Sequence, residues 1–219
     1  MKTKRLLVGG CSITHGHGTV TEGWDPANVN FSYGKYIADY LHADYDNVAY
    51  PGASNEFIFH RLIDKLTTEE YTDCLVGWTS LNRDAWEKES VTWAFNPRYG
   101  ACVDTGSSEL PFVKKHPLAN IHSNVKDKLN DVHTYWQSFI IRSLSDDLIK
   151  KHRHYRMALK TICASKNINL VEVNALPNKE DLYTLQIDAT QGRHPNKEEH
   201  KLIAEQVIAN FYQDRKHAS

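Results

Sequence analysis

Two residues of this chain, Ser12 and His194, are of types that can carry nucleophilic and acid–base chemistry. Ser12 follows Gly10 and Cys11 at the end of the apolar run RLLVGG (5–10), on a turn where a hydroxyl and backbone amides can project into a cleft. His194 precedes Pro195 and the last helical pattern of the chain, so its ring is carried on a short loop. A serine hydroxyl is inert at its own pKa and needs a neighbouring base to take its proton. Both residues also have ordinary readings, since serine is common in glycine-rich turns and loop histidines are commonly solvated. Cys11, beside Ser12 and near His15, is a second nucleophile of the right type, although nothing in its surroundings along the chain lowers its pKa.

Other chemistries find less support. His15-x-His17 lies on the same turn and could chelate a metal, but no third ligand is nominated by spacing. His152-x-His154 falls in a helical pattern, where residues two apart do not face each other. The stretch GGCSITHGHG lacks the Lys-Ser/Thr of a phosphate loop and the spacing of a dinucleotide fingerprint, so no nucleotide cofactor is expected, nor any other cofactor or metal. Lys114, Lys115 and KKHRHYR (150–156) have the look of solvated faces. Trp86, Trp93 and Tyr99 could stack on a sugar or a base, or anchor a long loop to the body.

The elements that must position these residues alternate between strand and helix. After the first strand, Tyr33, Ile37, Ala38 and Leu41 recur at helical spacing, and DNVAY (46–50) has the pattern of a second strand ending in Pro51-Gly52. Ser54 can cap a helix whose apolar residues Phe57, Ile58, Leu62, Ile63 and Leu66 share one stripe. A third strand is expected over 74–79. Helix formers dominate 131–166, and NLVEVNAL (169–176) returns to strand. Asn196 with Glu199 three residues on starts a terminal helix bearing Leu202, Ile203, Val207, Ile208 and Phe211. Residues 84–122 are aromatic and rich in proline without clear period, an insertion that could serve as a lid. The alternation predicts one α/β domain over 1–219, a three-layer α/β/α sandwich on a mainly parallel sheet. In such sheets ligands bind beyond the carboxyl ends of the strands.

The chain of 219 residues is long enough to hold a core, and no apolar run approaches the roughly 20 residues of a membrane span. With 26 Lys+Arg against 27 Asp+Glu, nothing in the net charge makes nucleic acid or an anionic membrane the default partner. Four cysteines without C-x-x-C spacing suit free thiols in a reducing compartment. Lys2, Lys4 and Arg5 precede an apolar stretch of only Leu6, Leu7 and Val8, too short for an export signal. A cytoplasmic protein is expected; one that later joins a virion would share these features.

Four segments in chain order carry a family resemblance. GCSIT (10–14) resembles the GDS-x-S/T block of the SGNH, or GDSL-like, hydrolases; NVAYPGASN (47–55) is similar to their glycine-bearing second block. SLNR (80–83) sits where that family has G-x-N-D, and HPNKEEHKLIAE (194–205) resembles the block that opens its last helix. The wording of the second and third segments also resembles SGNH-like proteins of bacteriophage genomes. The resemblance implies a cofactor-free serine esterase acting on an O-acyl, foremost O-acetyl, group of a small molecule or carbohydrate. Ser12 would be the nucleophile and His194 the base, with the amides of Ser12 and Gly52 and the side chain of Asn82 as the oxyanion hole. Three positions depart from the pattern. Cys11 replaces the Asp of GDS, and Ser80 and Arg83 replace the Gly and Asp of G-x-N-D, so a one-register shift would put Ser80 or Thr79 in the hole. Gln191 replaces the Asp three residues before the histidine, leaving Asp188, six residues before it, as the favoured partner of His194. Other outcomes are a Ser-His dyad, or a non-catalytic binding or structural module on the same scaffold. Trp78, Trp86 and Trp93 are expected around the cleft.

Overall fold

The computed structural model describes residues 3–21, 25–79, 81, 84–88, 91–96, 100–104, 147–174, 185–186 and 194–213, with backbone alone over 84–104, 147–148 and 185–186. The strands in chain order are β1 (Arg5–Gly10), β2 (Asp44–Asn47), β3 (Asp73–Trp78), β4 (Asp84–Lys88), β5 (Val91–Asn96), β6 (Gly100–Asp104), β7 (Asn169–Asn174) and β8 (Leu185–Gln186). The helices are α1 (Ser12–His15), α2 (Tyr33–Leu41), α3 (Asn55–Thr68), α4 (Asp147–Ser165) and α5 (Lys197–Phe211).

Five strands form one parallel sheet in the order β2-β1-β3-β7-β8. Its central strands are covered on both faces, which is why they are apolar almost throughout. Successive side chains divide between the faces. Leu6, Val8, Leu75, Val171 and Val173 pack with Ile37 of α2 and Ile203, Ala204 and Val207 of α5. Leu7, Cys74, Val76 and Trp78 pack with Phe57, Ile58, Leu62 and Leu66 of α3 and Leu159 and Cys163 of α4. The result is the expected α/β/α sandwich. No helix among the described residues is long and apolar enough to cross a membrane.

Both expected caps are formed. Ser54 Oγ accepts from Phe57 N at 3.1 Å to start α3. At α5, Asn196 Oδ1 accepts from Glu199 N at 3.0 Å while Asn196 N donates to Glu199 Oε2 at 2.7 Å, a complete capping box. The second strand differs from the expected 46–50. β2 begins at Asp44, and its ladder rungs end at Asn47. Beyond it, Val48 N donates to Val8 O at 2.8 Å and Tyr50 N to Gly10 O at 2.9 Å, so the chain still follows β1 to its end.

Two findings alter the reading of the aromatic and basic segments. Within the expected insertion, β4, β5 and β6 form a separate antiparallel sheet in which Trp86 and Trp93 are directly opposed. Trp78 is fully buried among α3 and α4, its Nε1 donating to Glu172 Oε1 at 2.9 Å, so it belongs to the core and not to a cleft. KKHRHYR is not simply a solvated face either. Lys151 pairs with Glu56, His152 is buried edge-on to Trp78, and Arg156 Nε donates to the buried Glu172 at 2.8 Å. Lys114, Lys115, Tyr99 and residues 105–122 lie outside the described residues.

Candidate active site

The turn bearing Ser12 is seated on the sheet by the residue two places on. Thr14 is fully buried, and its side chain occupies the space over Gly10 and Gly77, which pair across β1 and β3. A Cβ on either glycine would lie 2.1–2.2 Å from Thr14 Oγ1, so neither position admits a side chain while Thr14 stays in place. The Thr14 hydroxyl hydrogen-bonds the Tyr33 hydroxyl at 2.9 Å, and Asn47 Nδ2 donates to the Thr14 carbonyl at 3.2 Å. Ser12, half-buried, is the first residue of α1, where a helix amide has no intrahelical acceptor. Its own carbonyl accepts from His17 N at 3.0 Å. Cys11 is wholly buried against the α2 and α5 side, unlike the partly exposed thiols that react as nucleophiles.

The Gly52 turn is delivered to the same end of the sheet. Ala53 N donates to Tyr50 O at 3.1 Å, closing Tyr50-Pro51-Gly52-Ala53, and Gly52 has φ of +85°. Proline at the second position and a positive φ at the third match a type II turn, which favours glycine there. The exit of β3 is fixed by one side chain from the same segment. Asn55 Oδ1 accepts from Thr79 N at 2.8 Å and Asn55 Nδ2 donates to Thr79 O at 3.0 Å. Thr79, the last described residue before Leu81, is therefore clamped at the end of the sheet.

His194 is half-buried and meets the Ser12 turn through His17. The His17 and His194 rings lie 4.5 Å apart between centroids at 65°, edge to face. His15, near His17, and His200, near His194, are buried. Burial above all, with His17 nearby, holds the His15 pKa down to about 4. Burial, with His194 adding to it against the opposing Glu199, does the same to His200, also to about 4. His200 Nδ1 accepts from Tyr33 N at 3.2 Å, docking α5 on the start of α2. No group of three metal-capable side chains occurs among the described residues.

The Ser12 turn, the Gly52 turn and the exit of β3 at Thr79 thus lie at the carboxyl end of the parallel sheet, and His17 links His194 to the first. Asn82, Ser80, Arg83, Asp188 and Gln191 lie outside the described residues. A groove of about 540 Å³ runs along α5 past Pro195, Glu199, Leu202 and Gln206; it skirts the His194 loop without including Ser12 among its lining. Three residues that shape these turns escaped the sequence reading: Thr14, Asn47 and Asn55. The only available signal was the asparagine inside PGASN; His17 was singled out on the Ser12 turn, though as a possible metal ligand. The Gly10–Gly77 recess joins residues far apart in the chain.

No family model matches the sequence, and no curated protein sequence matches it. Solved structures that align with it include a lipolytic protein of the G-D-S-L family from Desulfitobacterium hafniense DCB-2, at 11% identity and TM-score 0.38, covering 95% of this chain and 99% of that one. An acetyl xylan esterase from Butyrivibrio proteoclasticus aligns at 12% identity and TM-score 0.45, over 99% of this chain and 65% of that one. A family two carbohydrate esterase from Clostridium thermocellum, in complex with cellohexaose, aligns at 14% and 0.41, over 99% and 66%. This chain therefore spans about two thirds of the length of the two carbohydrate esterases. At these identities and TM-scores the roles of its residues rest on its own motifs and geometry.

Proposed function

We propose that this chain is a cofactor-free serine esterase that removes an O-acyl group, O-acetyl foremost, from a small molecule or carbohydrate. The observation that carries the reading is that the Ser12 and Gly52 turns, and His194 through His17, come to the carboxyl end of one parallel sheet. Ser12 Oγ attacks the ester carbonyl as His194 takes its proton. The tetrahedral oxyanion is held by the amides of Ser12 and Gly52 and by the Asn82 side chain. The carbon–oxygen bond to the alcohol then breaks, and His194 returns the proton to the leaving oxygen. Water, activated by the same His194, releases the carboxylic acid and restores Ser12. Asp188 supports His194, and the 84–122 insertion serves as a lid over the substrate.

A second reading, a non-catalytic module that holds a glycan or a partner chain, draws on Gln191 and Arg83 standing where the family has aspartates. Hydrolysis of p-nitrophenyl acetate and a panel of acetylated sugars separates the two. Turnover that falls strongly in Asp188→Asn and little in Gln191→Ala supports the esterase with its proposed triad. The reverse order gives the orienting role to Gln191, and no turnover on any ester leaves the binding module.

A further inference from the structure

His17 belongs to a His-x-His pair that invites a metal reading, yet its contacts give it other work. Its backbone N–H is bonded to the Ser12 carbonyl, and its ring, only 8% exposed, sits edge to face on His194. The loop that carries it is braced by the wholly buried Asn28. Asn28 Oδ1 accepts from Val20 N at 2.8 Å and from Thr19 Oγ1 at 3.2 Å, and Thr19 N donates to Gly16 O at 3.0 Å. His194, by contrast, lies on the loop two residues ahead of the α5 cap, outside any strand or helix. A ring in that setting takes its orientation from what it packs against, and centroids at 4.5 Å fall within the favourable range for edge-to-face rings.

Resting on the esterase reading above, we propose that His17 is a positioning residue that fixes the plane of the His194 ring for proton exchange with Ser12. One backbone hydrogen bond and one ring contact then tie nucleophile and base into a single rigid unit. The role is separate from that of a carboxylate partner: a carboxylate selects which ring nitrogen bears the proton, whereas His17 limits rotation of the ring. Phenylalanine keeps a ring at this position and is the conservative replacement.

Misplacing a reacting group by about 1 Å can cost about 10²-fold. His17→Ala, checked by circular dichroism for retention of fold, is expected to lose about 10- to 100-fold in kcat with KM changed less than about twofold, and His17→Phe to regain most of the loss. Ring proton resonances of His194 should shift in His17→Ala and return toward their wild-type positions in His17→Phe, a readout that needs no turnover. A serine-directed phosphonate applied to wild type separates the two layers of the proposal. No label on Ser12 removes the esterase reading and the positioning role with it. A labelled wild type combined with unchanged kcat in His17→Ala, unmoved His194 resonances, or a His17→Phe as slow as His17→Ala overturns the positioning role alone.

Discussion

On the side of the sheet that carries the Ser12 turn and α5, Thr14 bonds Tyr33, and burial depresses the proton affinity of His15 and His200. On the side covered by α3 and α4, Glu172 keeps its charge. Burial pushes its carboxyl pKa up, but hydrogen bonds from Arg156, Lys160 and Trp78 outweigh that and leave it below the ordinary value. The difference teaches what each layer is for. A proposed general base must be neutral to accept a proton, and imidazoles crowded around it resist charging. The far layer has no such constraint and can fasten a strand to a helix with an ion pair.

The strongest way to break this contrast is to unpair the far layer. Arg156→Met should destabilise the fold by about 3 kcal/mol, the lower end of what removing one partner of a buried pair costs, because Lys160 remains at 2.8 Å from Glu172. Urea unfolding reads the loss, while activity per folded molecule stays at the wild-type level. A change below about 0.5 kcal/mol, the ordinary range for a surface substitution, would show that the pair is idle.

Acid sharpens the contrast by separating the layers in pH. His15 and His200 have folded pKa values lowered to about 4 from 6.5, so between those values the unfolded chain binds more protons than the folded one. Their contribution is fully present above pH 6.5 and is lost as pH falls to 4, on the order of 3 kcal/mol at most for each. Glu172, with its pKa lowered, gives up its contribution only below its ordinary value of 4.5. Urea midpoints at pH 7, 5.5 and 4.5 should fall steadily, and His200→Phe should flatten that fall by about half. An unchanged slope in His200→Phe would mean that His200 charges freely in the folded protein.

The smallest expected effect lies between the layers, at the clamp on β3. Asn55→Ala removes both hydrogen bonds to Thr79 and leaves a buried N–H unpaired, which should cost about 1–2 kcal/mol. Activity should fall further than stability does, because Thr79 lies three residues before the proposed oxyanion donor Asn82. Equal activity per folded molecule would detach the clamp from the site.

Local signals carried much of this architecture. The strand before Ser12, the Ser54 cap, the Asn196–Glu199 box and the stripe of α3 are written in residues within one or two turns of each other, and all four form as expected. Edges and long-range pairings were harder to see. Asp44–Asn47 is a polar edge strand without apolar alternation, so its true start was missed. Trp78 was expected at a cleft because it stands beside the proposed oxyanion segment, yet strand alternation sends it to the face of Glu172. The recess for Thr14 needs Gly10 and Gly77 side by side, a fact of register that no local pattern reports.

The central claim is that Ser12 is a nucleophile, and mass spectrometry of the protein treated with a serine-directed phosphonate tests it most directly. The account predicts one covalent adduct, on the peptide containing Ser12, absent from Ser12→Ala and slowed in His194→Ala. An adduct on a different residue, or none on a folded wild-type protein, would contradict it.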